Sequence, residues 1–367
     1  MRAVRPSILD DLTSDECVLE VVQGWTVEYA KDRLWLHGER GESFVFTPDQ
    51  DEYLVLIEAS SLGLIEGRFS PSTGKRYRAS ALINLWELGV IRVHDAVAPE
   101  HSDDDRFIWQ NEYFKAFSSS ENPLSRINGR LKEATVSIVG AGATGSLVAL
   151  MLTAAGIGKV RLIDGDRVMR SNLPRQFLYR ESSIGKLKVE VLREILQEHC
   201  SQVQVEVLPN YVDSLEEAHR AAREASFLLL TADQPRLNIR EWIGKASLAL
   251  GTPYLAMASN WIGPLSIPFR SPCYLCQART YRSRYADPAS LLQKVTSEPL
   301  PARAAFGPRP TLVASFMAAA IIHYLSDTYS LDLLFESFKV SLDGQGERQV
   351  YVRYRNCPAC GERPVSA

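Results

Sequence analysis

A glycine-rich turn at residues 140–145 constrains this chain more than any other feature. The segment TVSIVGAG predicts a buried strand that leads into the turn, and SLVALMLTAAGI predicts a helix that follows it. Gly140, Gly142 and Gly145 allow a tight turn and let an anion approach the backbone N–H groups at the helix N-terminus. The sequence therefore predicts a strand–turn–helix unit that binds a nucleotide.

Strand and helix patterns continue to alternate after this turn, as far as PYLAMAS near residue 258. Predicted strands such as the one in SFLLLTAD are continuously apolar, which is typical of a parallel sheet covered on both faces. KVRLIDGD predicts a further strand. We therefore expect an α/β fold with a doubly wound, Rossmann-like and mostly parallel sheet. The apolar segment TLVASFMAAAIIHYL has 15 residues, too few to cross a bilayer, and predicts a buried helix.

The residues that precede the glycine turn predict a separate small domain. GWTVEYA, DRLWLHG and ESFVFTP alternate apolar and polar residues and indicate a three-stranded meander. Two helical segments and a closing strand follow, so residues 1–95 predict a winged-helix-like α+β domain. The acidic, aperiodic segment DAVAPEHSDDD begins a linker and helical lead-in at 96–130, and residues 131–367 form the main domain.

Composition and charge limit the classes of function that are expected for the chain. The chain has 367 residues, a net charge of −3 and 46% hydrophobic residues, the balance of a soluble protein with a large core. Nothing in this charge balance indicates a nucleic-acid or membrane partner. The N-terminus lacks an apolar segment of signal-peptide length, so we expect a cytoplasmic protein.

A cluster of charged and amide side chains follows the second strand of the α/β region. Its members are Asp164, Asp166, Asn172, Arg175, Gln176, Lys186 and Lys188. Asp164 ends a strand, where an acid can bind a ribose, but a dehydrogenase does not need the cations behind it. An enzyme that cleaves a triphosphate does, because fixed cations stabilise the charge that develops on the phosphates. Asp233, at the end of a later strand, is a candidate ligand of Mg²⁺.

The blocks GAGATG, LIDGDRVMRSNLPRQ, IGKLKVE and TAD, in this order, resemble the ThiF/MoeB-like adenylation domain shared with ubiquitin-activating enzymes. The resemblance extends from residue 131 to about residue 360. It implies that Asp164 binds the ribose of ATP and that Asp233 holds Mg²⁺. The residues implied to contact the phosphates are Asn172, Arg175 and Lys188, and Asp166 and Gln176 complete the expected nucleotide site.

Two C-x₂-C pairs lie about 80 residues apart near the C-terminus. Four thiolates in two such pairs match a closed tetrahedral zinc site, which has a structural role because no position is left for water. The predicted ligands are Cys273, Cys276, Cys357 and Cys360. No cysteine lies between the two pairs, where relatives that relay a thioester or sulfur carry one, so sulfur transfer is disfavoured.

The N-terminal domain resembles the peptide clamp fused to adenylating enzymes that modify ribosomally made precursor peptides, as in the pantocin and microcin pathways. The resemblance implies a homodimer that binds a leader sequence, with Arg106 reaching into the partner's site. It also implies that a peptide carboxylate is adenylated. Glutamate side chains that then cyclise are preferred, and a peptide C-terminus is the alternative. An NAD-dependent oxidoreductase, a nucleotide-regulated scaffold and a clamp that serves only for packing stay open.

Overall fold

The structure is a computed structural model, and contacts divide the chain into two compact units, residues 1–116 and 117–367. The boundary between them falls inside the predicted linker and lead-in. The residues that the structure describes are 18–21, 25–30, 33–38, 43–47, 53, 55, 64–66, 81–82, 84–85, 88, 90–94, 105–115, 117–118, 122–235, 238–258, 261–283, 306–328, 333–341 and 346–361.

The first unit contains two three-stranded antiparallel sheets. Its strands are β1 (Val18–Val21), β2 (Trp25–Ala30), β3 (Arg33–Gly38), β4 (Ser43–Phe46), β5 (Leu64–Glu66) and β6 (Ile91–His94). One sheet has the order β2-β3-β4 and is the meander that the alternating segments predict. The other has the order β5-β1-β6. Sequence analysis did not predict β1 and β5, which have four and three residues.

The helical part of the first unit agrees with the sequence where it is described. Residues 53, 55, 81, 82, 84 and 85 are helical and lie in the two segments predicted as helices. A 3₁₀ turn (Asp105–Phe107) and the helix α1 (Ile108–Lys115) end the unit. Residues 95–104 of the predicted acidic linker lie outside the described residues.

The second unit is built on an eight-stranded sheet. Its strands are β7 (Thr135–Val139), β8 (Lys159–Ile163), β9 (Gln204–Leu208), β10 (Phe227–Leu230), β11 (Tyr254–Ala258), β12 (Trp261–Ile262), β13 (Glu336–Lys339) and β14 (Glu347–Val350). The order is β14-β13-β12-β11-β10-β7-β8-β9. The five strands from β11 to β9 are parallel, as predicted, and β12 to β14 add antiparallel strands that the sequence analysis did not identify.

Seven helices of the described part of this unit pack against the sheet and one another. They are α2 (Leu124–Glu133), α3 (Ala143–Ala154), α4 (Lys188–His199), α5 (Leu215–Ala222), α6 (Asn238–Leu250), α7 (Tyr274–Arg282) and α8 (Pro308–Ser326). The helix α8 packs on α2 and α3, whereas α5 packs on α6, so two groups of helices cover the sheet. The apolar segment TLVASFMAAAIIHYL, which predicts a buried helix, lies in α8. No helix of the described chain has the length and apolar content that crossing a membrane requires.

The topology identifies one edge of the sheet as the place for a ligand. The chain passes from β7 to β8 and β9 in one direction and then returns to place β10 on the other side of β7. Ligands of open α/β sheets bind at the carboxyl ends of the strands where the order reverses. The glycine turn follows β7 and Asp233 follows β10, so both lie at this switch point.

Candidate active site

The glycine turn between β7 and α3 requires glycine at two of its three positions. Gly140 has a φ of 104°, and a Cβ added there would lie 2.7 Å from the backbone nitrogen of Ala232. A Cβ on Gly145 would lie 1.9 Å from the carbonyl oxygen of Gly140. The turn therefore packs backbone against backbone. Gly142 is different, since it is the N-cap of α3 and no side-chain hydrogen bond caps this helix.

Asp164 fixes the turn from the neighbouring strand. One carboxylate oxygen accepts the N–H of Ala141 at 2.7 Å, and the other accepts the N–H of Asp166 at 2.8 Å. From the other side, the hydroxyl of Tyr179 donates to the carbonyl of Ala141 at 2.7 Å. A carboxylate has about four acceptor positions. Asp164 can therefore hold the turn and still accept a hydrogen bond from a ribose hydroxyl.

Lys188 and Asp166 form the charged pair of the site. Lys188 is the first residue of α4 and is buried, and its ammonium lies 2.7 Å from one carboxylate oxygen of Asp166. The hydroxyl of Tyr211 donates to the other oxygen at 2.8 Å. Burial acts to raise the pKa of Asp166, but the hydrogen bonds from Lys188 and Tyr211 outweigh it and lower the pKa overall. Asp166 is therefore ionised at neutral pH, and the buried ammonium has its counter-charge.

The segment after Asp166 contributes two buried amides. Asn172 accepts the N–H of Met169 at 3.0 Å, which closes a 3₁₀ turn over Arg170–Asn172. Gln176 is buried beside Gly142, and among the described residues its Oε1 has no hydrogen-bond partner. A buried polar atom without a partner costs free energy unless a ligand or water satisfies it. The glycine turn and the orphaned amide adjoin the N-terminus of α3, and Asp164 and Asp166 link the turn to the buried ammonium of Lys188. The residues here therefore fit ATP.

The remaining predicted site residues are more exposed. Arg175 is half-buried, and its guanidinium donates to the carbonyl of Ser171. Asp233 is exposed and follows β10, where its carboxylate is accessible to a metal ion. Arg106 is exposed and lies in the 3₁₀ turn of the first unit. Its action in a partner's site stays a prediction.

The four predicted zinc ligands come together although 80 residues separate the two pairs. Their sulfur atoms all lie within 4.8 Å of one another, and all four residues are buried. The Cys273–Cys357 and Cys276–Cys360 sulfur distances are 3.6 and 3.7 Å. Zn–S bonds of about 2.3 Å at tetrahedral angles place the sulfurs about 3.8 Å apart. The cluster therefore has the ligand set and the spacing for one zinc ion.

Three of the four clustered thiols have shifted pKa values. The hydrogen bond from Cys273 lowers the pKa of Cys276 to about 5, and the same bond raises the pKa of Cys273. Burial is the main cause that raises the pKa of Cys360 to about 11. A divalent ion bound here would favour the thiolate form of its ligands.

Removing a ligand from this cluster is expected to destabilise the protein. Metal analysis of the purified chain should find one zinc per chain. Cys276→Ser should lower the melting temperature and the zinc content together, because a structural zinc site contributes folding free energy. Cys200→Ser is the matched control, since Cys200 is buried outside the cluster. Full zinc content in Cys276→Ser would contradict the four-ligand assignment.

Three residues of the site were missed by sequence analysis. Tyr179 and Thr231 hold the backbone of the turn, the latter by donating to the carbonyl of Gly140 at 2.8 Å. Tyr211 contacts Asp166. Tyr211 and Thr231 closely follow the strands β9 and β10, so inspecting the carboxyl end of every predicted strand would have found them. Tyr179 carries no such signal.

Comparison with known proteins shows which family the second unit matches. The ThiF family matches residues 123–358. The sulfur carrier protein adenylyltransferase of Thermus thermophilus is 31% identical over 250 residues, which are 64% of this chain and 85% of that protein. The adenylyltransferase and sulfurtransferase UBA4 of Candida albicans is 29% identical over 64% of this chain and 52% of that protein. This chain therefore spans about half the length of that relative.

Solved structures match a larger part of the chain. Escherichia coli MccB with ATP has a TM-score of 0.73 and 21% identity, over 94% of this chain and 100% of that one. PaaA has a TM-score of 0.60 and 21% identity, over 74% of this chain and 91% of that one. At this identity the comparisons establish a shared fold. They confirm the predicted α/β fold with its mostly parallel central sheet.

Proposed function

The chain belongs to the ThiF family of adenylating enzymes, and from this premise we propose that it uses ATP to adenylate a carboxylate of a peptide. A carboxylate oxygen of the peptide attacks the α-phosphorus of ATP, the bond between the α- and β-phosphates breaks, and pyrophosphate leaves. The product is an acyl-adenylate. The single observation that supports this most is the ion pair between the buried Lys188 and Asp166, which Asp164 links to the glycine turn.

Each proposed role follows from the position of the side chain. Asp164 accepts a hydrogen bond from the ribose, and the N-terminus of α3 faces the phosphates. Lys188 supplies a positive charge whose position is already fixed, so little reorganisation is needed as charge builds on the leaving pyrophosphate. The other phosphate contacts in this proposal are Asn172, Arg175 and Gln176.

Asp233 is proposed to hold the Mg²⁺ that accompanies ATP, because it is an exposed carboxylate at the switch point. Asp233→Asn should lower the adenylation rate at least about tenfold at limiting Mg²⁺, and excess Mg²⁺ should partly restore it, since an amide is a weaker ligand than a carboxylate. The rate is measured across a Mg²⁺ titration. Glu198→Gln, an exposed substitution on α4, is the control. A loss that no concentration of Mg²⁺ relieves would contradict a metal role.

The proposed substrate is a ribosomally made precursor peptide that residues 1–95 hold by its leader. Among the described residues of the first unit, each sheet has three strands, and β5 and β6 lie at the edges of theirs. An extended peptide can add to such an edge as a further strand. MccB, which shares the fold, is described as a microcin C7 biosynthetic enzyme and has been solved with N-formylated MccA. We extend the proposal to a homodimer in which Arg106 acts in the partner's site.

The preferred carboxylates are glutamate side chains of the precursor, which then cyclise. The four clustered cysteines are buried and are the proposed zinc ligands, and Cys200 is buried. The described residues therefore offer no accessible thiol to take the acyl group. A nitrogen or carbon atom of the peptide is then the proposed nucleophile, with AMP as the leaving group. Adenylation of a peptide C-terminus is the alternative, and mass spectrometry of the product distinguishes them by the position of the modification.

Exchange of labelled pyrophosphate into ATP tests the proposal. The intact protein should catalyse this exchange only when the precursor is present, because the acyl-adenylate forms reversibly. Absence of exchange together with turnover of NAD would favour the oxidoreductase alternative, which rests on the glycine turn and Asp164 alone. ATP binding without exchange would favour a nucleotide-regulated scaffold.

A second candidate is adenylation of a sulfur carrier protein, and the Thermus thermophilus relative favours it. Such a substrate would also present a carboxylate to the α-phosphate of ATP. Exchange of pyrophosphate with a sulfur carrier protein and not with a precursor peptide would select this candidate.

A further inference from the structure

Tyr211 is an exposed residue that the proposed chemistry has not yet used. Its side chain remains 58% exposed, so the ring does not serve to fill the core. Nevertheless it contacts the backbone, because a Cβ on Gly165 would lie between 2.7 and 2.9 Å from three atoms of this ring. The ring therefore lies directly on the backbone of Gly165, the residue between the two acids of the site.

The hydroxyl of this ring ends a chain of three side chains. It donates to one carboxylate oxygen of Asp166 at 2.8 Å, and the other oxygen receives the ammonium of Lys188 at 2.7 Å. The backbone reinforces the same arrangement, since the N–H of Lys188 donates to the carbonyl of Asp166 at 2.9 Å. Lys188 is buried, whereas the side chain of Asp166 is half exposed.

Because Asp166 is the more exposed residue of the pair, its carboxylate is the group that needs a further hydrogen bond to stay in position. The ammonium of Lys188 is confined by its surroundings, but an exposed carboxylate can turn toward water and leave the ammonium without its counter-charge. A hydrogen bond on the second oxygen restricts that rotation, because each oxygen is then held by a different donor. The hydroxyl also helps to lower the pKa of Asp166 and so favours the charged form.

We propose that Tyr211 is a positioning residue for adenylation, which holds Asp166 so that Asp166 keeps the ammonium of Lys188 in place for the phosphates of ATP. This inference rests on the proposed function, because it assumes that Lys188 contacts the phosphates. Tyr211 does not act on the reacting atoms itself. Tyr211 should affect the rate of adenylation only by way of its hydrogen bond to Asp166, so substitution of both residues can test the proposal.

The test is a double-mutant cycle on the intact protein with Tyr211→Phe and Asp166→Asn. Two quantities are measured, namely the affinity for a non-hydrolysable ATP analogue by calorimetry and the rate of pyrophosphate exchange with the precursor. Tyr211→Phe retains the ring and removes only the hydroxyl. It should reduce the exchange rate about tenfold, which is the size of effect expected from about 1.4 kcal/mol of lost transition-state stabilisation. In the Asp166→Asn background the same substitution should change the rate less than about twofold, because coupled residues are not additive.

Two further variants separate positioning from packing. Gly165→Ala should reduce the rate in the same direction as Tyr211→Phe, because the added Cβ displaces the ring and its hydroxyl. Leu250→Ala, a substitution of an exposed apolar residue at the end of α6, should leave the rate and the affinity unchanged. Melting temperatures establish that each variant is folded.

The outcomes distinguish this inference from the proposed function. Equal effects of Tyr211→Phe in both backgrounds, or no effect in the wild-type background, would overturn the positioning role while leaving adenylation intact. Absence of ATP binding and exchange in the wild-type protein would instead overturn the proposed function.

Discussion

Lys188→Ala is expected to fold normally and to lose adenylation almost completely. Removal of one preorganised charge from such a site typically costs about 2.7–4 kcal/mol, or roughly 10²–10³ in rate. The loss should appear in the rate of pyrophosphate exchange at saturating ATP, because Lys188 is proposed to act on charge that develops as the leaving group departs. Asp166 also loses its ion pair, but its side chain is half exposed and water can solvate it.

Arg193→Ala is the matched control for this substitution. Arg193 lies on the same helix, α4, and forms a surface ion pair with Glu190. Such a pair contributes about 0–1 kcal/mol to stability. The control should therefore retain full activity. Arg175→Ala should resemble Lys188→Ala, and wild-type exchange in both of these variants would show that the phosphates bind elsewhere.

A chain that starts near Ser102 should retain zinc and ATP binding but should process the full-length precursor poorly. If residues 1–95 hold the leader, they convert a weak encounter into one with a local concentration of the order of millimolar for a short linker. At micromolar precursor, the truncated protein should therefore be slower by roughly 10²-fold or more. The comparison requires kcat/KM for the same precursor with the intact and the truncated chains.

Free leader provides the internal control for the truncation. It should inhibit the intact protein, because it competes for the same strand edge, and should not affect the truncated one. High concentrations of precursor should restore much of the rate of the truncated protein. Unchanged kcat/KM after truncation would indicate that residues 1–95 serve only for packing. The main support for a peptide substrate would then be lost.

The fold of the second unit could be predicted largely because its signals are local. Most parallel strands are largely apolar segments next to a helix of sufficient length, and the glycine turn marks where the first strand and helix meet. The spacing of the Cys273 and Cys357 pairs likewise predicted a cluster that the structure brings together. The strands β12 to β14 escaped prediction because they have two to four residues, and β12 pairs with β13 across a gap of more than 70 residues.

The candidate site was predicted less completely than the fold. Lys188 and Asp166 could be selected because charged groups clustered after a strand are unusual, but their pairing depends on how α4 returns to the sheet. The position of Tyr211 after β9 could have selected it as a site residue, but nothing in the sequence indicates what it contacts. Its role depends on the contact with Gly165, which only the folded chain creates.

The most direct test of adenylation follows an oxygen atom. Precursor whose glutamate carboxylates carry ¹⁸O is incubated with the intact protein and ATP, and the phosphorus-containing products are analysed by mass spectrometry. The attacking carboxylate oxygen becomes the bridge to the α-phosphorus and leaves with AMP when the nucleophile displaces it. The account predicts one ¹⁸O in AMP and none in inorganic phosphate. Label in inorganic phosphate with ADP as the other product would contradict it, because the carboxylate would then have attacked the γ-phosphate.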